Sequence, residues 1–203
     1  MFYEVGQPHG LRHDPFKALV VPRPIAWVST VSPEGGHNLA PYSFFNAMSF
    51  DPPVLAIGIN GAHVEGGPKD SLRNIEQMGE FVCNLATWDL REQMNRSSAS
   101  APRGTSEFEL AGLTPAPSRL VKAPRVKESP VQLECHYLDT VPLPPDRRGE
   151  PNAIVLGRVV AIHIDDSLLH DGLVDITLAR PIARLGYMDY TDVQSVFQLL
   201  RPE

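Results

Sequence analysis

Apolar and polar positions along this chain fall into short blocks, and the block lengths predict strands more often than helices. "PIAWVSTV" (24–31) is β-branched and aromatic, and "SPEGGHN" after it has the proline and paired glycines of a tight connection. "LAPYSFFNAMS" (39–49) therefore reads as the returning strand of a hairpin. Past the turn "DPP", "VLAIGI" (54–59) is a continuous apolar run of the kind buried on both faces. "EFVCNL" (80–85) is another strand, and "VQLECHYLDTV" (131–141) alternates with the period of two that marks a half-buried one. "NAIVLGRVVAIHID" (152–165) is long and interrupted at Gly157, where a bend or bulge is expected. Long antiparallel neighbours of this kind close well into a barrel.

Helical periodicity is confined to a few places. Asp14 and Pro15 can start a helical turn, and Asp70 or Ser71 can cap "SLRNIEQMG", with Leu72, Ile75 and Met78 facing inward and Gly79 ending it. "TWDLREQMNRSSA" (87–99) places Leu90 and Met94 on one face after Thr87. The final segment from Pro181 predicts a Gly-aromatic turn and then a short amphipathic helix. Residues 98–130 are dominated by Pro, Ser and Ala, with "FELAGL" the one ordered-looking patch, and read as a long surface excursion. The fold class expected is mainly β, an antiparallel barrel with added helices, as one domain over residues 1–203.

Composition sharpens this picture in two ways. Twenty prolines, about twice the usual share, fall between the apolar runs and imply many turns and edge strands. A net charge of -6, with no Lys/Arg run interleaved with aromatics, argues against a nucleic-acid partner. No run approaches the roughly 20 apolar residues of a membrane span, and the first residues lack the pattern of a secretory signal, so the expectation is a cytoplasmic protein without a membrane partner. Cys83 and Cys135 alternate with apolar neighbours and read as core thiols.

Familiar chemistries are mostly excluded. His9 and His13 lie four apart, but "HGLRH" has a glycine and no glutamate base, so no metal site is assigned. His136 and His163 sit in strand-like runs and read as accommodated barrel histidines. Asp165, Asp166 and Asp171 read as a solvated turn rather than cation ligands. Neither a dinucleotide fingerprint, a phosphate loop nor a nucleophile elbow is present. What stands out is a cluster of hydroxyl and amide side chains on adjacent strands between residues 22 and 59, followed by Lys69 at a helix start, where anions are favoured. That cluster suits a planar, hydrogen-bonding, phosphate-bearing ligand, and suits equally a set of satisfied side chains on a sheet face.

The ordered succession "RPIAWVSTV", "NLAPYSFFNAMSFDPP", "KDSLRNI", "EFVCNL", "ESPVQLEC", "GRVVAIHIDD" and "PIARLGYMDY" resembles the flavin reductase-like family, over about Leu11 to Tyr190. The resemblance implies a six-stranded antiparallel FMN-binding split barrel that works as a homodimer. It implies a flavin wall of Trp27, Ser29 and Thr30, a strand of Asn38, Ala40, Pro41, Tyr42 and Ser43 beside the ring, and a phosphate end made by Ser49, Phe50, Asp51, Lys69, Asp70 and Ser71. The activity implied is transfer of hydride from NAD(P)H to flavin, with electrons passed onward to an acceptor or a partner monooxygenase. The cofactor supplies the chemistry, so no side chain is assigned as catalytic. Two alternatives are an FMN-binding electron-transfer protein without nicotinamide turnover and a scaffold that has lost its cofactor. Three departures accompany the likeness: Ser71 where threonine is usual, a longer "GAHVEGGPKD" loop, and Tyr187 where a second glycine is common, whose ring would narrow the approach to the flavin.

Overall fold

The computed structural model describes residues 1–202. An irregular lead-in ends in one helical turn, α1 (Phe16–Leu19), started as expected by the Phe16 N–H donating to Asp14 Oδ1 at 2.9 Å. Strands β1 (Arg23–Pro24), β2 (Ala26–Val31), β3 (His37–Tyr42), β4 (Phe45–Phe50) and β5 (Pro53–Asn60) follow, then helix α2 (Asp70–Met78) and strand β6 (Glu80–Leu85). Helices α3 (Arg91–Arg96) and α4 (Glu107–Ala111) and the short strands β7 (Pro115–Ala116) and β8 (Arg125–Val126) lead to the longest strands, β9 (Val131–Leu143) and β10 (Asn152–Ile164). Strands β11 (Leu169–His170) and β12 (Leu173–Val174), helix α5 (Ile176–Ala179), and strands β13 (Ile182–Arg184) and β14 (Tyr190–Asp192) complete the order.

Seven strands form one antiparallel sheet in the order β3-β2-β6-β9-β10-β5-β4. Strands β3 and β4 are consecutive in the chain yet occupy opposite edges, with only Ser43 and Phe44 between them. The sheet must therefore curl until its edges meet at that corner. There the Gly58 N–H donates to the Phe44 carbonyl at 2.6 Å, and a Cβ on Gly58 would lie 2.8 Å from that of Phe44. The run 39–49, expected as one strand, is thus two strands broken at the corner, and the expected six strands of the antiparallel barrel become seven. Gly157 marks a β-bulge, as its place in the pattern predicted, and only glycine fits there because the Phe81 ring occupies the space a Cβ would need.

Strand β2 serves two cores at once. Ala26 and Val28 point to a cluster with Leu55, Ile57, Phe81, Cys83, Cys135 and Val155, whereas Trp27, with Ile25 just before the strand, points to a second with Leu39, Met94, Phe108 and Val126. That double burial explains the unbroken apolar reading of "PIAWV". Strand β5 differs from its expectation: Leu55, Ile57 and Ile59 are buried, but Val54, Ala56 and Gly58 are half-buried, and Ala56 and Gly58 line an open hollow that α1 borders with Phe16 and Lys17. The thiols of Cys83 and Cys135 are free and buried, as expected of core cysteines, and the neighbouring Cys135 sulfur and burial hold the Cys83 pKa well above its usual value.

Residues 98–130 are not a surface excursion. Phe108, Ala111, Leu113, Val121, Ala123 and Val126 are buried, so the segment is the lid of the second core and its extension over Val82. Pro, Ser and Ala in this stretch conceal the cover because they satisfy its backbone through side chains of the sheet rather than through strand ladders. Glu134, with no exposed surface, accepts from the amides of Arg119 (2.8 Å), Leu120 (2.6 Å) and Val121 (3.2 Å) and lies 2.5 Å from His163 Nε2. Glu80 accepts from Lys122 and Ala123, Asn84 from Val126, and Ser29 donates to the Pro124 carbonyl. His163 is accordingly a satisfied barrel histidine, whereas His136 faces solvent.

The expected C-terminal helix is absent from the described residues. After β14 the chain has no regular structure, and Val196, Phe197, Leu199 and Leu200 are exposed, so no packed face stabilises so short a helix. Glu203 lies outside the described residues. Among the described residues no helix is long and apolar enough to cross a membrane.

Burial alone would raise the Glu134 carboxyl, but the Arg119 amide, His163 and the Leu120 amide outweigh it and hold its pKa below the usual value. Its contribution to stability is therefore present above the unfolded pKa of about 4.3 and is lost as pH falls through the lower folded value. Glu134→Gln is expected to lose about 1.5 to 3 kcal/mol at pH 7, the range for hydrogen bonds to a charged group. Urea unfolding of both proteins at pH 7 and near pH 4 checks this, and the gap should shrink at the acid end.

Candidate functional site

A network of buried polar side chains backs the face where β3 meets the start of α2. Ser71 Oγ donates to Asn38 Oδ1 at 2.9 Å, Asn74 Nδ2 donates to Thr30 Oγ1 at 3.0 Å, and Thr30 Oγ1 reaches Asn38 Oδ1 at 3.4 Å. Asn38 Nδ2 donates in turn to Glu107 Oε2 at 2.6 Å, which also accepts from the Leu39 amide at 2.9 Å. The chain links β2, β3, α2 and α4, so the wall in front of it is fixed from behind.

In front lies a pocket of about 140 Å³ between β3, the N-terminus of α2 and the turn after α3. Asn38, Ala40, Pro41, Tyr42, Lys69, Asp70 and Ser71, seven of the residues expected at a flavin, line it together with His63, Ser97 to Ala101 and Glu107. A second hollow of about 530 Å³ shares Pro41 and Ser98 with it and continues past Ser43 and Phe44 to Arg23, Arg184 and Tyr187. Together they make one trough along β3 that ends at the corner where the sheet edges meet.

The remaining expected residues stand elsewhere. Trp27, Ser29 and Thr30 have 0% exposure, so they do not line the trough. Trp27 Nε1 donates to Ser97 Oγ at 2.9 Å, and Ser29 is held between Asn84 and the Pro124 carbonyl. Their polar atoms are occupied inside the protein because β2 is covered on both faces. Ser49, Phe50 and Asp51 lie at the outer end of edge strand β4, with Phe50 93% exposed, and do not line the trough either. Neither Asp70 nor Ser71 caps α2: Lys69 holds the cap position with no side-chain bond, and Ser71 is already inside the first turn.

The electrostatics of the first pocket favour an anion. Lys69 has no carboxylate within 4.0 Å among the described residues. The amides of the first turn of α2 have no carbonyl four residues back. Asp70 is neutralised by Arg103, by Arg73 at 3.3 Å and by His63 at 3.6 Å when that ring is protonated. Arg103 also donates to the Gly66 (2.7 Å) and Pro68 (3.1 Å) carbonyls, clamping the glycine-rich loop to the helix start. Burial pushes the Tyr42 phenol up to about 12, so it remains a hydrogen donor at neutral pH. Neither Arg103 nor the "SSASA" turn stood out in the sequence, since a hydroxyl-rich run after a helix is the composition of any exposed loop. Tyr187 lines the second hollow with φ +54°, the left-handed conformation that a glycine adopts without strain, and its ring is 5.4 Å from that of His13.

Burial raises the Glu107 pKa, against its bonds from Leu39 and Asn38. The sign is opposite to that of Glu134: the folded state disfavours the charged form, so above its folded pKa the ionised group costs stability. Glu107→Gln keeps an acceptor for Leu39 and is expected to be as stable as the parent, or up to about 1 kcal/mol more stable, at pH 7.5, with no difference near pH 4. Thermal unfolding at the two pH values checks it, and a loss at pH 7.5 would show that the charge itself is needed.

The comparisons with known proteins fit this geometry. The model of the flavin reductase like domain matches residues 18–181. An uncharacterized protein of Halalkalibacterium halodurans is 40% identical over 184 residues, 90% of this chain and 87% of the relative. Among solved structures, nitrilotriacetate monooxygenase component B from Bacillus cereus superposes with a TM-score of 0.84 at 30% identity, covering 95% of this chain and 100% of that one. Pseudomonas fluorescens 2-nitrobenzoate 2-nitroreductase gives a TM-score of 0.79 at 30% identity, covering 92% of this chain and 88% of that one. With a matched domain, a curled antiparallel sheet and a trough at its corner, this chain belongs to the flavin reductase-like family of split-barrel proteins.

Proposed function

We propose that this protein is an FMN-dependent oxidoreductase of the flavin reductase type, a cytoplasmic homodimer that takes hydride from NAD(P)H and supplies electrons to an acceptor or a partner monooxygenase. The observation that carries this reading is the trough itself, with an unpaired lysine at a helix start at one end and small, backbone-rich positions along its length. When bound, FMN supplies the acceptor ring for hydride and the electrons passed on. Lys69, the first-turn amides of α2 and the turn at Ser97–Ser100 would hold the phosphate, a dianion that suits a helix N-terminus. Ala40, Pro41 and Ser43 would lie along the ring, where short side chains let it approach the backbone. Tyr42 adds a phenolic donor, and the buried Trp27, Ser29 and Thr30 support the wall from behind. Ser49, Phe50 and Asp51 would join the site only across a subunit boundary, since they stand outside this trough.

Two measurements test the reading. A visible spectrum of the purified protein should show flavin bands that bleach on anaerobic addition of NADH or NADPH. Bands that persist with both donors point to an electron carrier without nicotinamide turnover, and no bands after incubation with FMN and gel filtration would overturn the flavin reading. Lys69→Ala should weaken FMN binding by about 1.5 to 3 kcal/mol, the range for a charged hydrogen bond, as read by fluorescence titration, whereas unchanged affinity removes Lys69 from the site.

A further inference from the structure

The second hollow collects more positive charge than its own acids compensate. Arg23 on β1 and Arg184 on β13 are direct partners in the antiparallel ladder, so two guanidiniums stand opposite each other on one face. Like charges directly opposite each other destabilise a sheet, and the Phe44 ring, 5.7 Å from the Arg23 guanidinium, carries no opposite charge. Neither has a carboxylate within 4.0 Å among the described residues. Arg23 is only 6% exposed; one of its terminal nitrogens donates to the Lys17 and Val20 carbonyls, and its Nε is buried with no hydrogen-bond partner. Burial, and then the Arg184 charge, pull its pKa below the usual arginine value. Arg184 donates to the Tyr190 hydroxyl and the Tyr187 carbonyl, both of them neutral acceptors. Lys17 lines the same hollow, where the one acid, Asp14, already accepts from the Phe16 amide.

We propose that Arg23, Arg184 and Lys17 form an oxyanion subsite for a second, exchangeable ligand that shares the trough with the flavin. The assignment rests on the flavin reading only in its last clause, because the charge arrangement stands without it. The body of that ligand is planar and partly apolar. Beyond Arg184 the hollow opens into a third cavity of about 400 Å³ lined by Trp88, Met94, Met188 and Tyr190. Trp88 is held by Arg91 at 4.1 Å and Arg180 at 5.0 Å from its ring, and Tyr190 by Arg184 at 4.5 Å. An organic phosphate or carboxylate joined to an aromatic ring satisfies both parts, and the two sources are separable with inert probes.

ADP-ribose, which carries the diphosphate and adenine of a dinucleotide without its reactive ring, and benzoate are titrated calorimetrically into the FMN-loaded protein and into the FMN-free protein at low salt. At least one is expected to bind, and the one that does identifies the source as dinucleotide diphosphate or aromatic carboxylate. Arg184→Gln is expected to weaken that probe at least tenfold, and Lys17→Gln at least threefold, while FMN affinity stays within twofold. Lys69→Ala should show the reverse pattern, with FMN weakened and the probe unaffected. Arg23 also clamps the α1 backbone, so it is left intact. Binding of neither probe, or probe affinity unchanged in Arg184→Gln, overturns the subsite. A tenfold loss of FMN affinity in Arg184→Gln also overturns it, because the cations would then hold the FMN phosphate itself. Failure of the flavin reading shows separately, as absent FMN binding with the probe response in the FMN-free protein intact.

Discussion

A segment without regular structure laid across a sheet brings buried backbone amides that the sheet ladder cannot pair, and everything outside the first core depends on how this protein meets that cost. Its solution is to place acceptors on the sheet. Glu134, Glu80 and Asn84 project from β9 and β6 and receive the amides of residues 119 to 123 and 126, while Ser29 from β2 gives its proton to the Pro124 carbonyl. An ionised carboxylate is well suited to this because one group accepts several amides and each such bond is stronger than a neutral one. With the cover held in place, Val121, Ala123, Val126, Phe108 and Leu113 can close the outer face of β2 and β6. Trp27 is then enclosed and its indole nitrogen finds Ser97, which fixes the start of the turn that lines the trough.

The same logic links cover and site. Glu107 belongs to α4, within the cover, and reaches back to Asn38 and Leu39 on β3. From Asn38 the network runs through Ser71 to the first turn of α2, where Lys69 and the free amides lie. Arg103, also in the cover, grips Asp70 and the loop before it. Three separate segments are thereby positioned relative to β3 through directional bonds, which suits a site that must present amides and a cation at fixed places.

Much of the fold was legible. The alternation in β9, the bulge at Gly157, the helix α2 and the strand β6 all follow from periodicity and glycine placement, since these depend on neighbours close in sequence. What escaped were features set by distant contacts. A strand buried on both faces and one whose second face is only half-buried have the same apolar spelling, so β2 and β5 could not be told apart. Ser43 and Phe44 look like strand residues, and only the curl of the sheet makes them a corner. Residues 98–130 have a loop's composition because their backbone is satisfied by Glu134 and Glu80, residues a few strands away. In the site, Asn38, Ala40 to Ser43 and the Lys69–Ser71 group come together in one trough. The hydroxyls of Ser29 and Thr30, equally conspicuous in the sequence, are occupied within the protein. A polar side chain on a strand shows that something needs a hydrogen bond there, and only the packing shows whether it is a ligand or a piece of backbone.

The charge distribution gives the trough its character. The chain carries a net charge of -6, so its average field repels anions, yet Lys69 stands at one end of the trough and Arg23, Arg184 and Lys17 at the other. The acids nearby are each committed: Asp70 to Arg103 and Arg73, Asp192 to Arg180, and Glu107 to Asn38 and Leu39. Their charges are partly neutralised by those bonds, whereas the cations are left free of carboxylates. A concave, partly apolar wall concentrates such a field over a short distance, so an acidic surface and an anion-attracting trough coexist. The separation of the two cationic ends by the small residues of β3 favours ligands with negative groups flanking a planar body, or two such ligands meeting in the middle.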